Sequence, residues 1–164
     1  MNCPSCGAPM RLQNGNSSLR CEYCKTVVTL APDDIGVQFL EEVPDLLCPL
    51  CAASLWNSVL ARVPIHACKR CQGLLVAMHS LEPLVESMRA LHPERSNPLP
   101  ADPSDLDRKT ECPRCRQRMD AQFYSGGGNV VVCGCEPDEL NWLDGGALMR
   151  IVRAPQTDEA EIAI

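Results

Sequence analysis

Twelve cysteines in 164 residues constrain this chain more than anything else in it, because they fall into three copies of one pattern. The first copy uses Cys3, Cys6, Cys21 and Cys24, with fourteen residues between its two C-x-x-C pairs. The second uses Cys48, Cys51, Cys68 and Cys71 with sixteen between, and the third uses Cys112, Cys115, Cys133 and Cys135 with seventeen. Each copy opens C-P-x-C and places Met10, Leu55 or Met119 four residues after its second cysteine. A shared apolar position at a fixed distance from the pairs implies one fold unit used three times.

Cysteine pairs grouped in fours match the ligand needs of zinc, which takes four soft donors in a tetrahedron with Zn–S near ~2.3 Å. Two residues between cysteines make a tight turn whose N–H groups can point at the sulfurs and offset thiolate charge. The proline presets φ for that turn. The residues between pairs suffice for a β-hairpin that returns the chain to the metal. A disulfide framework needs an oxidising compartment, and "MNCPSCGAPM" has neither the basic nor the apolar region of a secretory leader. No apolar run approaches the ~20 residues that span a bilayer. The expected setting is a reduced cytoplasm. Thiol–disulfide chemistry is disfavoured because every pair has a partner pair at hairpin distance. Iron in a four-thiolate site is the minor metal variant.

Composition leads to the same place. Two Phe, two Tyr and two Trp supply little large apolar volume, and fourteen Pro and ten Gly interrupt long elements. Ordering a unit of ~20 residues costs on the order of 20–40 kcal/mol of conformational entropy. Structural zinc contributes about 10–16 kcal/mol of apparent binding energy, so folding and metal loading become one event. The expected fold is therefore small, metal-stabilised and mostly β: three tandem four-cysteine zinc ribbons with short helices after the second and third. The expected cofactor is three zinc ions per chain, each held by four cysteines.

The segments between the copies set the expected boundaries. Ribbon one covers 1–31, with "KTVVTL" as its last strand, and 32–46 is a connector whose Ile35, Val37, Phe39 and Leu40 follow neither a helical nor a strand period. Ribbon two with its helix covers 47–92; Leu81, Leu84, Val85, Met88 and Leu91 share one helical face, with Ser80 as N-cap and Pro83 in the first turn. Residues 93–109 read as a proline-rich, mobile linker that separates copy three from the first two. Ribbon three covers 110–154, with a turn and then a short helix begun by Asp144 and buried through Leu148, Ile151 and Val152. Residues 155–164 read as a disordered acidic tail.

Copies two and three resemble the bacterial transcription factor zinc-finger repeat, a TFIIB-type zinc ribbon named for its likeness to transcription factor IIB. That pattern runs C-P-x-C, a hairpin, C-P-x-C-G-G-x-W-L-D-x-G-E-L and a helix. Copy three ends "WLDGGAL", with Trp142, Leu143, Asp144, Gly146 and Leu148 in place and Ala147 where the family has Glu. Copy two keeps Gly73 and Leu81 but has Leu75 and Ala77 at the Trp and Asp positions. Copy one resembles a generic zinc ribbon. The resemblance implies a zinc-binding fold with four cysteine ligands per unit and implies no activity.

In copy three the second pair is closed up to C-G-C and followed by "EPDE", and "WLDGGAL" arrives three residues late. This reads as a rearranged knuckle in which Cys133 and Cys135 reach one zinc with fewer N–H···S contacts. The reserve ligands are Glu136, Asp138 and Glu139. His66, two residues before Cys68, is an alternative ligand that four cysteines make unnecessary; His79 and His92 complete the histidines. "SGGGN" reads as a hairpin tip.

No arrangement for nucleophilic, phosphate or metalloprotease chemistry is present, so the expectation is a non-enzymatic module that binds another macromolecule. The formal charge of −6 argues against non-specific nucleic-acid binding, and each four-thiolate zinc adds about −2 to it. Against this stand Arg108, Lys109, Arg114, Arg116 and Arg118, the candidate contacts to nucleic acid or an acidic partner. Base-stacking aromatics near them are limited to Phe123 and Tyr124. Protein is thus the favoured partner and nucleic acid the alternative.

Overall fold

Short runs of apolar residues between turns form strands. The computed structural model describes residues 2–12, 18–29 and 34–156. In the first copy, β1 (Met10–Leu12), β2 (Ser18–Cys21) and β3 (Val27–Thr29) make a small antiparallel sheet in that order. The tail expected over 155–164 lies almost wholly outside the described residues, as do parts of the expected first ribbon and connector.

The rest of the chain builds one seven-stranded sheet. It comprises β4 (Gln38–Leu47), β5 (Ser54–Leu60), β6 (Val63–Ala67), β7 (Leu74–Ala77), β8 (Asp120–Phe123), β9 (Val131–Cys135) and β10 (Leu140–Leu143). Their order is β4-β5-β6-β7-β10-β9-β8. The connector of the sequence reading is in fact the edge strand β4. Its alternation was hidden because the register on β5 shifts between Phe39 and Glu41 and again between Val43 and Leu47. Pro44 is compatible with an edge strand, where one side of the backbone needs no ladder partner. Phe39 meets Trp56 edge to face at 6.4 Å, and the Lys69 ammonium lies over both rings.

The expected separation of copy three on a free linker is corrected. Copies two and three are joined through β7 and β10, with Leu74 opposite Leu143, Leu75 opposite Trp142, Val76 opposite Asn141 and Ala77 opposite Leu140. Both strands are buried along most of their length, so neither copy can shed the other without exposing a central strand. The segment 93–109 runs along copy three instead of hanging free. Ser96 N–H donates to the Arg153 carbonyl, and Asn129 Nδ2 donates to the Leu99 carbonyl. A 3-10 turn at Pro103–Asp107, capped by the Asp102 carboxylate, then leads to Arg108, which bonds Asp105 and Asp144.

Two helices, α1 (Met78–Leu91) and α2 (Ala147–Arg153), cover one face of the sheet. Leu81, Leu84, Val85 and Met88 are buried as the heptad spacing requires, packed with Ile65, Leu74, Val76, Val132, Leu143, Leu148, Ile151 and Val152. Leu91, the last residue of the expected face, is exposed. The helix starts at Met78, so Ser80 is not its cap and Pro83 lies inside it, beyond the first turn. Arg89 ties the layers together by donating to the carbonyls of Gly126 and Ile151. Gly146, at φ 83°, caps α2, while Asp144 marks the turn before it through Ala147 N–H to its carbonyl. The turn expected before that helix is partly strand β10.

Candidate metal centres

The opposite face of the large sheet carries the cysteines of copies two and three, and those of copy one lie in the small three-stranded unit. The C-x-x-C pairs sit on turns with a common signature. The N–H of the residue after the second cysteine donates to the carbonyl of the first, as Gly7 does to Cys3, Lys25 to Cys21, Ala52 to Cys48, Gln72 to Cys68 and Arg116 to Cys112. That residue takes positive φ in every case, between 59° and 74°. Only Gly7 reaches this region free of Cβ strain; the others hold a conformation that costs about 1–2 kcal/mol per residue. Amide groups approach sulfur at Ser5 N to Cys3 Sγ, 3.4 Å, and at Cys71 N to Cys68 Sγ, 3.5 Å.

Three groups of four donor atoms result, each with all its atoms within 4.8 Å of one another. Cys3, Cys6, Cys21 and Cys24 form the first, and Cys48, Cys51, Cys68 and Cys71 the second. Sulfur pairs across each lie 3.4 Å (Cys3–Cys24) and 3.5 Å (Cys6–Cys21, Cys48–Cys71, Cys51–Cys68) apart. None of the cysteines is in a disulfide. A tetrahedral ion with metal–sulfur bonds near 2.3 Å places its sulfurs about 3.8 Å apart, so both donor sets fit such an ion after slight expansion. The first cluster is the more open one: Cys6 and Cys24 are exposed there, against half-buried Cys51 and Cys71 in the second.

The third group differs from the sequence reading. It contains Cys112, Cys115, Cys135 and Asp138, and Cys133 is not in it. Cys115 and Cys135 sulfurs are 3.6 Å apart, and Asp138 Oδ2 lies 3.3 Å from Cys112 Sγ and 3.7 Å from Cys135 Sγ. Cys133 and Cys135 lie two apart in β9, and the Cys133 sulfur is directed at Thr110 Oγ1 at 3.6 Å and not at the other three donors. The sixth turn is C-E-P-D, Cys135 to Asp138; Glu139 after it takes positive φ, 53°, but its N–H donates to the Glu136 carbonyl and not to that of Cys135. With Asp138 as the closing ligand, the three-residue delay before "WLDGGAL" disappears. Trp142 follows Asp138 by four residues just as Leu75 follows Cys71, and the two face each other across the β7–β10 junction.

By the same alignment Cys133 occupies the position of His66. Cys133 is buried, its thiol donating to Thr110 Oγ1 at 3.6 Å, and packs with Trp142, Met119 and Leu140. His66 also belongs to no donor group. Burial, and then the Arg114 charge, hold its imidazole below the usual range. Among the reserve ligands Asp138 is used, while Glu136 and Glu139 are exposed and outside the cluster.

The electrostatics of the donors favour a cation. Hydrogen bonds from the Cys115 and Cys112 thiols keep the Asp138 carboxyl below its ordinary value. Burial pushes Cys112 up to about 12. The Thr26 hydroxyl and N–H lower Cys24 to about 6. Protons thus hold together donors that a divalent cation would take over on displacing them.

Asp144 fixes the third unit. Its carboxylate accepts from Trp142 Nε1 at 3.0 Å and from Arg108. Trp142 in turn lies over Gly73 of the second unit, where an added Cβ would stand 2.2 Å from the indole ring. Gly145 is equally confined, since a Cβ there would come within 2.2 Å of the Cys71 carbonyl oxygen.

The five basic residues fall in separate surroundings. Arg108 is engaged by Asp105 and Asp144, Arg114 lines a cavity, and Lys109, Arg116 and Arg118 are exposed. That cavity, about 550 Å³, lies between the first unit and the metal-bearing face of the large sheet; Met10 and Leu19 line one side and Leu75, Leu140, His66, Arg114 and Asp138 the other. No helix among the described residues is long and apolar enough to cross a membrane. No family model, no curated protein and no solved structure matches the chain.

Proposed function

We propose that the chain is a three-zinc protein of the zinc-ribbon type, without catalytic activity, that acts as a scaffold for binding another protein. The observation that carries the metal reading is the convergence of four donor atoms, within 4.8 Å, at three separate places. Zinc is favoured over iron and calcium by donor softness: eleven of the twelve donors are thiolates and the spacing suits a tetrahedron. The likeness of copies two and three to the bacterial transcription factor zinc-finger repeat supports the same metal. It is strengthened by Asp138, which puts Trp142, Leu143 and Asp144 in the family's frame.

A protein partner is favoured over nucleic acid because Arg108 is engaged by Asp105 and Asp144 and the chain as a whole carries a formal net charge of −6. The knuckle tips also expose apolar groups, Tyr23 in the first unit and Leu50 in the second. Purified without chelator, the protein should carry three zinc ions per chain by native mass spectrometry and elemental analysis; fewer than two would overturn the reading. Duplex DNA and single-stranded RNA should not bind at physiological salt. Binding that falls steeply with salt and is lost on R114E/R116E would establish the nucleic-acid alternative in its place.

A further inference from the structure

We propose that the third cluster is an exchangeable metal site, closed by the carboxylate of Asp138 and opening onto the neighbouring cavity, while the first two clusters stay loaded. The inference rests on the zinc reading above and concerns what distinguishes one site from the others.

Three thiolates and one carboxylate make a different site from four thiolates. Zinc bound by thiolates is held by soft, strongly donating ligands, whereas a carboxylate oxygen is harder and closer in character to the water that competes with it. Position adds to chemistry. Among the twelve donors, Asp138 alone lines the cavity of about 550 Å³; none of the cysteines does. The hardest donor is therefore the one that borders the cavity, and water can enter where Asp138 leaves; the first cluster is more exposed through Cys6 and Cys24, but all four of its donors are thiolates. Cys112 and Cys135 are buried and set in the apolar layer with Met119, Leu140 and Trp142.

The nearby spare thiol does not restore a four-thiolate site. Cys133 is displaced along β9 by one strand repeat, and its sulfur is already directed to Thr110 Oγ1. The chain thus has a cysteine beside the site and still closes it with Asp138.

Exchange at this site has a structural consequence. Arg114, Asp138 and Glu139 all line the cavity, and all three belong to the two knuckles that the third ion would hold together. Occupancy of the third site therefore shapes one wall of the cavity, which makes it a metal-responsive element within an otherwise permanently loaded scaffold. Trp142, opposite Cys133 in the β9–β10 pair and in the same buried cluster as Cys112 and Cys135, is placed to report it.

The test uses the full-length zinc-loaded protein, a graded series of chelators and native mass spectrometry. One ion per chain should be lost first, leaving a stable two-zinc species. In a Trp56→Phe background, Trp142 emission should shift in step with that first loss. Asp138→Ala should purify with two ions. Asp138→Cys should retain the third about tenfold longer or more, and Cys133→Ala should still hold three. Loss of all three ions together would overturn the proposal, as would a first loss that leaves Trp142 emission unchanged or a Cys133→Ala protein with two ions. A protein that binds no zinc at all would overturn both this inference and the zinc reading beneath it; three ions released together would overturn this inference alone.

Discussion

At the scale of single residues, two positions two places upstream of a ligand have taken different side chains. His66 precedes Cys68, and Cys133 precedes Cys135. Both lie on the side of the sheet that carries the donor groups, and neither belongs to one. His66 borders the cavity with its Nδ1 buried and without a hydrogen-bond partner. Burial first and Arg114 second disfavour its protonated form. Its folded value therefore lies below its unfolded one, and the associated stability is complete above about 6.5 and lost as pH falls through the folded value. NMR titration of the zinc-loaded protein should give His66 a pKa below the ordinary imidazole value, and Arg114→Gln should raise it. A His66 that titrates normally would mean the cavity is fully hydrated there. Ten of the eleven clustered cysteines were legible in the sequence because a C-x-x-C turn is a local device. Asp138 was only a reserve choice, because C-x-x-D carries no metal signature until the Cys133 sulfur is seen directed at Thr110.

At the scale of elements, the decisive contact is the antiparallel pair β7–β10. It places Trp142 of one unit over Gly73 of the other, with no room for a side chain at residue 73. Gly73→Val should lower the stability of the zinc-loaded protein by about 1–3 kcal/mol through overpacking, measured as a fall in its thermal midpoint. Gly7→Ala, whose added Cβ meets nothing within 4 Å, should act only through its φ of 74° and leave the junction untouched. The helices were readable from their apolar spacing, and α1 buries four of the five residues that spacing selected. Its start was not, because Met78 continues directly from β7 and no capping side chain marks the boundary. The strand β4 escaped for a related reason: two register shifts break the period of two on which strand recognition depends.

At the scale of the whole molecule, copies two and three form one body despite the proline-rich segment between them. Cleavage at a protease site introduced at residues 97–100 should leave two fragments that co-elute in gel filtration, because β7 and β10 and the contacts between α1 and α2 still join them. Fragments that separate would restore the picture of an independent third unit. Removal of all metal should unfold the chain, since the apolar layer around the second and third clusters is built on their ligands; the loss should be visible by far-UV circular dichroism and reversed by zinc. The sequence by itself determined that there are three four-donor units, where five of their six knuckles turn and which helix faces are apolar, because each knuckle and each helix face is set by residues close together in the chain. Only the tertiary structure decided which copies pair, that Asp138 replaces Cys133, and that a cavity opens beside the third cluster. Those outcomes depend on strand order and side-chain direction across a sheet, where partners are distant in sequence.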